Sequence, residues 1–200
     1  SERVNLAAGV PTLWMGLLNA LNQHPTQWDL VKPMTLIVGG SATPTNLMHG
    51  LDAHGLKLVC AWGMTEVSPL GSIARLDPQD EVNLSTEAQL ALRTTAGLAA
   101  PFVEMRLHNK DLGENQPWDG ESAGELQLRG QWITGAYFKA DGVDAFSEDG
   151  WFGTGDVATL SPEGFLRITD RTKDLIKSGG EWISSVEIEN LLLTHPKIAE

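Results

Sequence analysis

Positive charge is scarce in this 200-residue chain: 14 Lys and Arg stand against 26 Asp and Glu, a formal net charge of −12. Nucleic-acid and anionic-membrane surfaces need clustered cations, so this balance argues against both partner classes. Cysteine is scarcer still. Cys60 is the only one, which excludes an intramolecular disulfide and suits a reducing, cytoplasmic setting. No apolar run approaches the ~20 residues that a membrane-spanning helix needs. The opening Ser1-Glu2-Arg3-Val4-Asn5-Leu6 lacks the basic-then-apolar pattern of a signal peptide. His24, His49, His54, His108 and His195 are scattered without metal-ligand spacing and read as ordinary surface or core residues. There is no internal repeat and no low-complexity tract. An initiator Met is missing too, and the chain stops at Ile198-Ala199-Glu200 just after a predicted helix. The sequence therefore reads as a fragment truncated at both ends.

What is present supports a sizeable core, with 42% hydrophobic residues. Pro11 can occupy a first helical turn, and Leu13, Trp14, Leu17, Leu18 and Leu21 follow at helical spacing as far as His24-Pro25. Met34 to Val38 is a short apolar run that reads as a buried strand ending in Gly39-Gly40. A second helix is expected with Thr43 as its cap and Pro44 in its first turn. Leu47, Leu51 and His54 share a face of it, and Gly55 closes it. Lys57 to Trp62 is the next strand. The resulting strand–helix–strand unit predicts a parallel sheet that presents ligands at the carboxyl ends of its strands. Residues 77–100 read as a loop with one short helix. From Phe102 the texture changes to short alternating runs, Val103–Leu107, Glu125–Arg129, Val157–Leu160 and Phe165–Thr169, separated by turn residues. These predict a small antiparallel, barrel-like subdomain. Ser184 or Ser185 is expected to cap a last helix through Ile188, Leu191 and Leu192.

Four segments carry chemistry. Trp62-Gly63-Met64-Thr65-Glu66 delivers an aromatic plane, a glycine, a hydroxyl and a carboxylate at a strand end. An indole face can stack a purine, a Thr hydroxyl can donate to phosphate, and a carboxylate can hold Mg²⁺. A buried Trp, a turn and a solvated Glu fit these residues equally well. Gly39-Gly40-Ser41-Ala42 lets a ligand edge lie against backbone, or simply makes a tight turn into a helix. Trp151-Phe152-Gly153-Thr154-Gly155-Asp156 clears space before one carboxylate suited to accept both ribose hydroxyls; a surface turn is the plainer alternative. The stretch from Asp170 to Trp182 sets Arg171, Lys173 and Lys177 around Gly179-Gly180, where a solvated charge run is the ordinary reading.

Taken in order, Gly39-Gly40-Ser41-Ala42, Trp62-Gly63-Met64-Thr65-Glu66, Gly124-Glu125-Leu126…Arg129-Gly130, Gly153-Thr154-Gly155-Asp156 and Asp170-Arg171-Thr172-Lys173-Asp174-Leu175-Ile176-Lys177 resemble the adenylate-forming superfamily of acyl-CoA synthetases, luciferases and adenylation domains. The resemblance covers nearly the whole chain. Gly9-Val10-Pro11-Thr12-Leu13-Trp14 and Ser178-Gly179-Gly180-Glu181-Trp182-Ile183-Ser184-Ser185 are similar to fatty acyl-CoA ligases. Trp62 followed by Val67-Ser68-Pro69-Leu70-Gly71 is most similar to the medium-chain branch.

This resemblance implies an α/β fold. Residues 1–170 would be the C-terminal part of the large domain, with an α/β portion at 1–100 and a β-rich, barrel-like portion at 101–170. Residues 171–173 would be a hinge, and 174–200 the start of a small C-terminal α+β domain. It implies a reaction with a small-molecule carboxylic acid, ATP, Mg²⁺ and CoA, and leaves a homodimer open. Gly39, Gly40, Ser41 and Ala42 would line the adenine and the acyl pocket. Trp62, beside Gly63, would stack on adenine, Thr65 would contact the α-phosphate, and Glu66 would serve Mg²⁺. Asp156 and Arg171 would bind the ribose. Lys173 matches the hinge position, Lys177 a residue of the thioester step and Gly180 the pantetheine tunnel, with Trp182 near nucleotide or CoA. The family's upstream phosphate loop and its downstream adenylation lysine are not in this stretch, so the fragment alone is expected to be inactive. Aryl or sulfur-containing acids are a second substrate class, and a non-catalytic nucleotide-binding relative a second functional class. Transfer to a carrier protein is disfavoured by the Gly180-Glu181-Trp182 stretch.

Overall fold

The structure is a computed structural model. It describes residues 3–41, 43–139, 145–172, 185, 188 and 191–192, and the backbone of 176–178 and 181–183. These fall into two compact units, Ser1–Met64 with Leu70–Gly97, and Thr65–Pro69 with Leu98–Glu200.

The first unit runs β1 (Leu6–Gly9), α1 (Pro11–Gln23), β2 (Met34–Val38), α2 (Thr45–Ala53), β3 (Leu56–Gly63), β4 (Leu70–Ile73), α3 (Pro78–Asn83) and α4 (Thr86–Arg93). β1 pairs with β2 and β2 with β3 in parallel, while β4 runs antiparallel to β3. The parallel strands and their helices are the α/β arrangement expected. Pro11 starts α1, where its missing N–H costs no hydrogen bond. Trp14 and Leu21 are the buried anchors of the helix, and Leu17 and Leu18 pack beside them. Leu13 is exposed despite its place in the apolar spacing. The indole Nε1 of Trp14 donates to Ile37 O at 3.1 Å and docks the helix on β2.

α2 begins one residue later than expected. Pro44 itself, in extended conformation, is the N-cap, with no side-chain capping bond. The Thr43 hydroxyl bonds Cys60 instead, so it is not free to cap. Leu47, Met48 and Leu51 fill the core, whereas His54 ends the helix with Nε2 2.8 Å from Asn22 Oδ1. Gly55 leaves the helix at φ 75°, the left-handed value that favours glycine. Where a loop with one short helix was expected, there are two helices. Asp77 Oδ1 accepts from Gln79 N to start α3, and Ser85 Oγ accepts from Ala88 N to start α4. Neither helix buries a residue fully, although Leu90 of α4 packs partly buried against the core of the first unit.

The second unit contains β5 (Leu98–Ala99), β6 (Val103–Asn109), β7 (Glu114–Asn115), β8 (Gly124–Gly130), β9 (Phe152–Leu160) and β10 (Leu166–Arg171). The sheet order is β10-β9-β8-β6-β7, antiparallel throughout. Met105 opposes Leu128 and Leu107 opposes Leu126, so one face is apolar. The other face pairs Glu104 with Arg129 and Arg106 with Gln127. There the Trp151 ring takes the guanidinium of Arg106 at 4.5 Å and that of Arg129 at 4.7 Å. β9 begins five residues before the expected Val157, and so includes Gly153-Thr154-Gly155-Asp156. β11 (Ile176–Ser178) and β12 (Glu181–Ile183) form a hairpin, and Ser185, Ile188, Leu191 and Leu192 are helical.

Candidate functional site

In the first unit the expected residues gather where the parallel strands end. Val38 pairs with Cys60, which brings Gly39 beside Ala61. A Cβ on Gly39 would lie 2.8 Å from Ala61 O, so only glycine fits there. Gly40 follows at φ 92° and turns the chain, and Ser41 is exposed beyond it. Trp62 is the penultimate residue of β3, half-buried and paired with Ser72. A register shift separates it from the exposed Gly63. A Cβ on Gly71 would stand 2.4 Å from Trp62 Cζ3, so the indole lies on Gly71. That supporting role of Gly71 was not assigned from sequence. The neighbouring thiol of Cys60 is pushed up by burial, against the pull of Thr43 and Arg93, which leaves it unsuited to nucleophilic work.

In the second unit Thr65–Val67 is one turn of 3₁₀-helix, anchored by buried Val67. Thr65 is exposed and Glu66 half-buried. The loop after β8 holds this turn: Thr134 N donates to Glu66 O at 2.8 Å, and Ser68 Oγ donates to Trp132 O at 2.9 Å. The Tyr137 hydroxyl donates to Glu66 Oε1 at 2.9 Å. Its phenol is pushed up by desolvation first and by the Glu66 carboxylate second. Tyr137 too was missed from sequence. Among the described residues no cluster of three or more His, Cys, Asp and Glu could hold a metal.

Elsewhere in the same unit Asp156 and Arg171 are register partners across β9 and β10. Asp156 is buried, and its Oδ1 is 3.3 Å from Arg171 Nε. Thr154 Oγ1 accepts from Asp156 N and donates to Leu126 O. Gly155, at φ 74°, offers its carbonyl to both the N–H and the hydroxyl of Thr172. Asp170 is also buried. It accepts from Ser185 N at 2.6 Å and from Ser185 Oγ at 3.2 Å. Ala42, Lys173 and Gly180 lie outside the described residues, as do the side chains of Lys177 and Trp182, whose backbones pair across the β11–β12 hairpin.

Residues 1–138 match the family of AMP-binding enzymes. The chain belongs to that family. Among curated AMP-binding relatives, it is 43% identical over 201 residues to the medium-chain-fatty-acid–CoA ligase of Ectopseudomonas oleovorans, covering 100% of this chain and 36% of that protein. It is 43% identical over 197 residues to the 3-methylmercaptopropionyl-CoA ligase of Ruegeria lacuscaerulensis, covering 98% of this chain and 36% of that protein. Among solved structures, o-succinylbenzoate CoA synthetase of Bacillus subtilis, in complex with the acyl-adenylate intermediate OSB-AMP, superposes with a TM-score of 0.79 at 28% identity. That match covers 99% of this chain and 37% of the synthetase. The same synthetase has been solved with ATP and magnesium ion. The chain thus spans about a third of the length of these AMP-binding enzymes. Among the described residues no helix is long and apolar enough to cross a membrane.

Proposed function

We propose that this chain is part of an ATP-dependent acid–CoA ligase whose substrate is a medium-chain fatty acid. In the first half-reaction a carboxylate oxygen of the acid attacks the α-phosphorus of ATP and pyrophosphate leaves. In the second, the CoA sulfur attacks the acyl carbon and AMP leaves. The observation that carries this reading is Trp62. A half-buried indole stands at the carboxyl end of β3, one strand from Gly39-Gly40, where an α/β sheet receives its ligand.

Trp62 would stack on adenine, an interaction worth roughly 1–3 kcal/mol for an aromatic–base pair. Gly39, Gly40, Ser41 and Ala42 would border the base and the acyl group, Gly39 because its neighbour Ala61 O tolerates no side chain. The Thr65 hydroxyl would donate to the α-phosphate. Asp156 would accept the ribose hydroxyls while Arg171 balances its charge. Glu66 fits Mg²⁺ as a lone carboxylate, because that ion commonly takes one or two protein carboxylates and completes its shell with water and phosphate oxygens. When bound, the ion neutralises charge on the phosphates. Lys173 would be the pivot for residues 174–200 between half-reactions, after which Lys177 would serve thioester formation and Gly180 would leave the pantetheine path clear.

A second substrate reading, a short sulfur-containing acid, is favoured by the equal identity to the 3-methylmercaptopropionyl-CoA ligase. Acid-dependent ATP–pyrophosphate exchange by the whole protein, with octanoate, benzoate and 3-(methylthio)propionate side by side, separates the readings. The expected result is exchange with octanoate far above the other two. Exchange confined to either of the others would overturn the substrate. ATP binding with no exchange on any acid would favour a non-catalytic relative.

A further inference from the structure

The turn bearing Glu66 shares three hydrogen bonds with the loop after β8, accepting two and donating one. Two of them, Thr134 N to Glu66 O and Ser68 Oγ to Trp132 O, fix its backbone. The third is different in kind. The Tyr137 hydroxyl reaches the carboxylate itself, 71 residues away in sequence, with a donor–acceptor distance of 2.9 Å. The ring of Tyr137 is set by its neighbours. Its centroid is 6.4 Å from that of Phe146, which lies 5.4 Å from that of Phe152, a residue only 2% exposed. A row of rings rooted in the core therefore aims one hydroxyl at Glu66.

We propose that Tyr137 is a positioning residue for Glu66, holding one carboxylate oxygen so that the group meets the nucleotide-bound Mg²⁺ in a single orientation. This rests on the reading of Glu66 as the Mg²⁺ ligand. A free glutamate samples several side-chain rotamers, and binding an ion would then require selecting one of them. A donor already bonded to Oε1 removes that cost. Hydrogen-bond partners of ligating carboxylates commonly govern metal affinity or activity by about 10–100-fold.

The first test needs no metal. Site-specific 3-fluorotyrosine at position 137 of the whole protein keeps the hydroxyl and reports its surroundings by ¹⁹F NMR. At one fixed pH that keeps the phenol protonated, the fluorine resonance should shift on Glu66→Gln, because the acceptor facing the hydroxyl changes from a carboxylate to an amide. No change on Glu66→Gln would mean that the hydroxyl does not engage the carboxylate in solution, and would overturn the proposal.

The second test is Tyr137→Phe in the whole protein, with pyrophosphate release followed against Mg²⁺ concentration. The Mg²⁺ needed for half-maximal rate should rise about tenfold while the rate at saturating Mg²⁺ is largely kept. Tyr137→Phe added to Glu66→Gln should do no further harm, because the two side chains act as one unit. A lower saturating rate with unchanged Mg²⁺ dependence would reduce Tyr137 to a structural role and overturn the proposal. Loss of Mg²⁺ affinity in Glu66→Gln alone would do the same while sparing the role of Glu66. An unchanged Mg²⁺ dependence in Glu66→Gln would instead remove the metal reading on which both depend. If Tyr137→Phe fails to fold, the fluorotyrosine resonance still decides.

Discussion

Arg171 Nε on β10 lies 3.3 Å from Asp156 Oδ1 on β9, pairing a carboxylate 7% exposed with a guanidinium 63% exposed. The arginine is thus free to bend toward solvent while the aspartate is fixed by its strand. If this carboxylate accepts the ribose hydroxyls, Asp156→Asn should weaken ATP binding by about 10–100-fold, the usual worth of a hydrogen bond to a charged group. Calorimetric titration with ATP and with its 2′,3′-dideoxy form checks the cause. The variant should lose its preference between them, and equal weakening of both would argue for a purely structural aspartate.

Two glycines of the first unit should respond in opposite ways. Gly39→Ala presses a methyl onto Ala61 O, which is backbone and unable to swing aside. It should cost about 1–3 kcal/mol of stability, read as a lower urea midpoint. Gly71→Ala presses instead on the Trp62 indole, a side chain that can rotate. It should leave the midpoint nearer wild type and weaken ATP binding by about tenfold through lost stacking.

Acid should release a surface clasp. The Arg106 guanidinium and the Ser147 hydroxyl hold Asp149 down at about 2, below its ordinary value of 3.8. A carboxylate lowered on folding adds stability that is complete above its unfolded value and disappears as pH falls through the folded one. Asp149→Asn should therefore flatten the pH dependence of the urea midpoint between pH 3.8 and about 2 and leave its shape above pH 5 unchanged. The size should be small, because both partners reach solvent.

The proposed pivot and tunnel make the two half-reactions separable. Lys173→Pro fixes φ near −65° and should restrict rotation, while Gly180→Leu should obstruct pantetheine. Both variants should release pyrophosphate in a single turnover and fail to consume CoA. Equal loss of both half-activities would reject these roles.

Local pattern exposed much of the first unit in advance. Pro11 and the 34–38 apolar run mark α1 and β2 because a fixed φ and a continuous hydrophobic stretch act within a few residues. β1 escaped notice because Leu6–Gly9 is a four-residue strand with no buried residue. The start of β9 was obscured by Gly153 and Gly155, which favour turns until pairing with β8 overrides them. Thr43 looked like a cap until Cys60 took its hydroxyl. Asp156 and Arg171 were legible as motif residues, but their pairing depends on the β9–β10 register. Gly71 was noted only as the end of the Val67–Gly71 stretch, and Tyr137 carried no local signal. One matters through what β4 faces on β3, the other through a bond spanning 71 positions.

Gly155 gives the chain a mechanical ground. Its carbonyl holds Thr172 twice, so Thr172 is clamped like the built-in end of a beam. The same peptide unit continues into the N–H of Asp156, which is itself bonded to Thr154. If residues 174–200 rotate as proposed, their torque would be delivered one peptide from the proposed ribose ligand. Rotation and occupancy of the site would then bias each other equally, since any coupling between two equilibria is reciprocal.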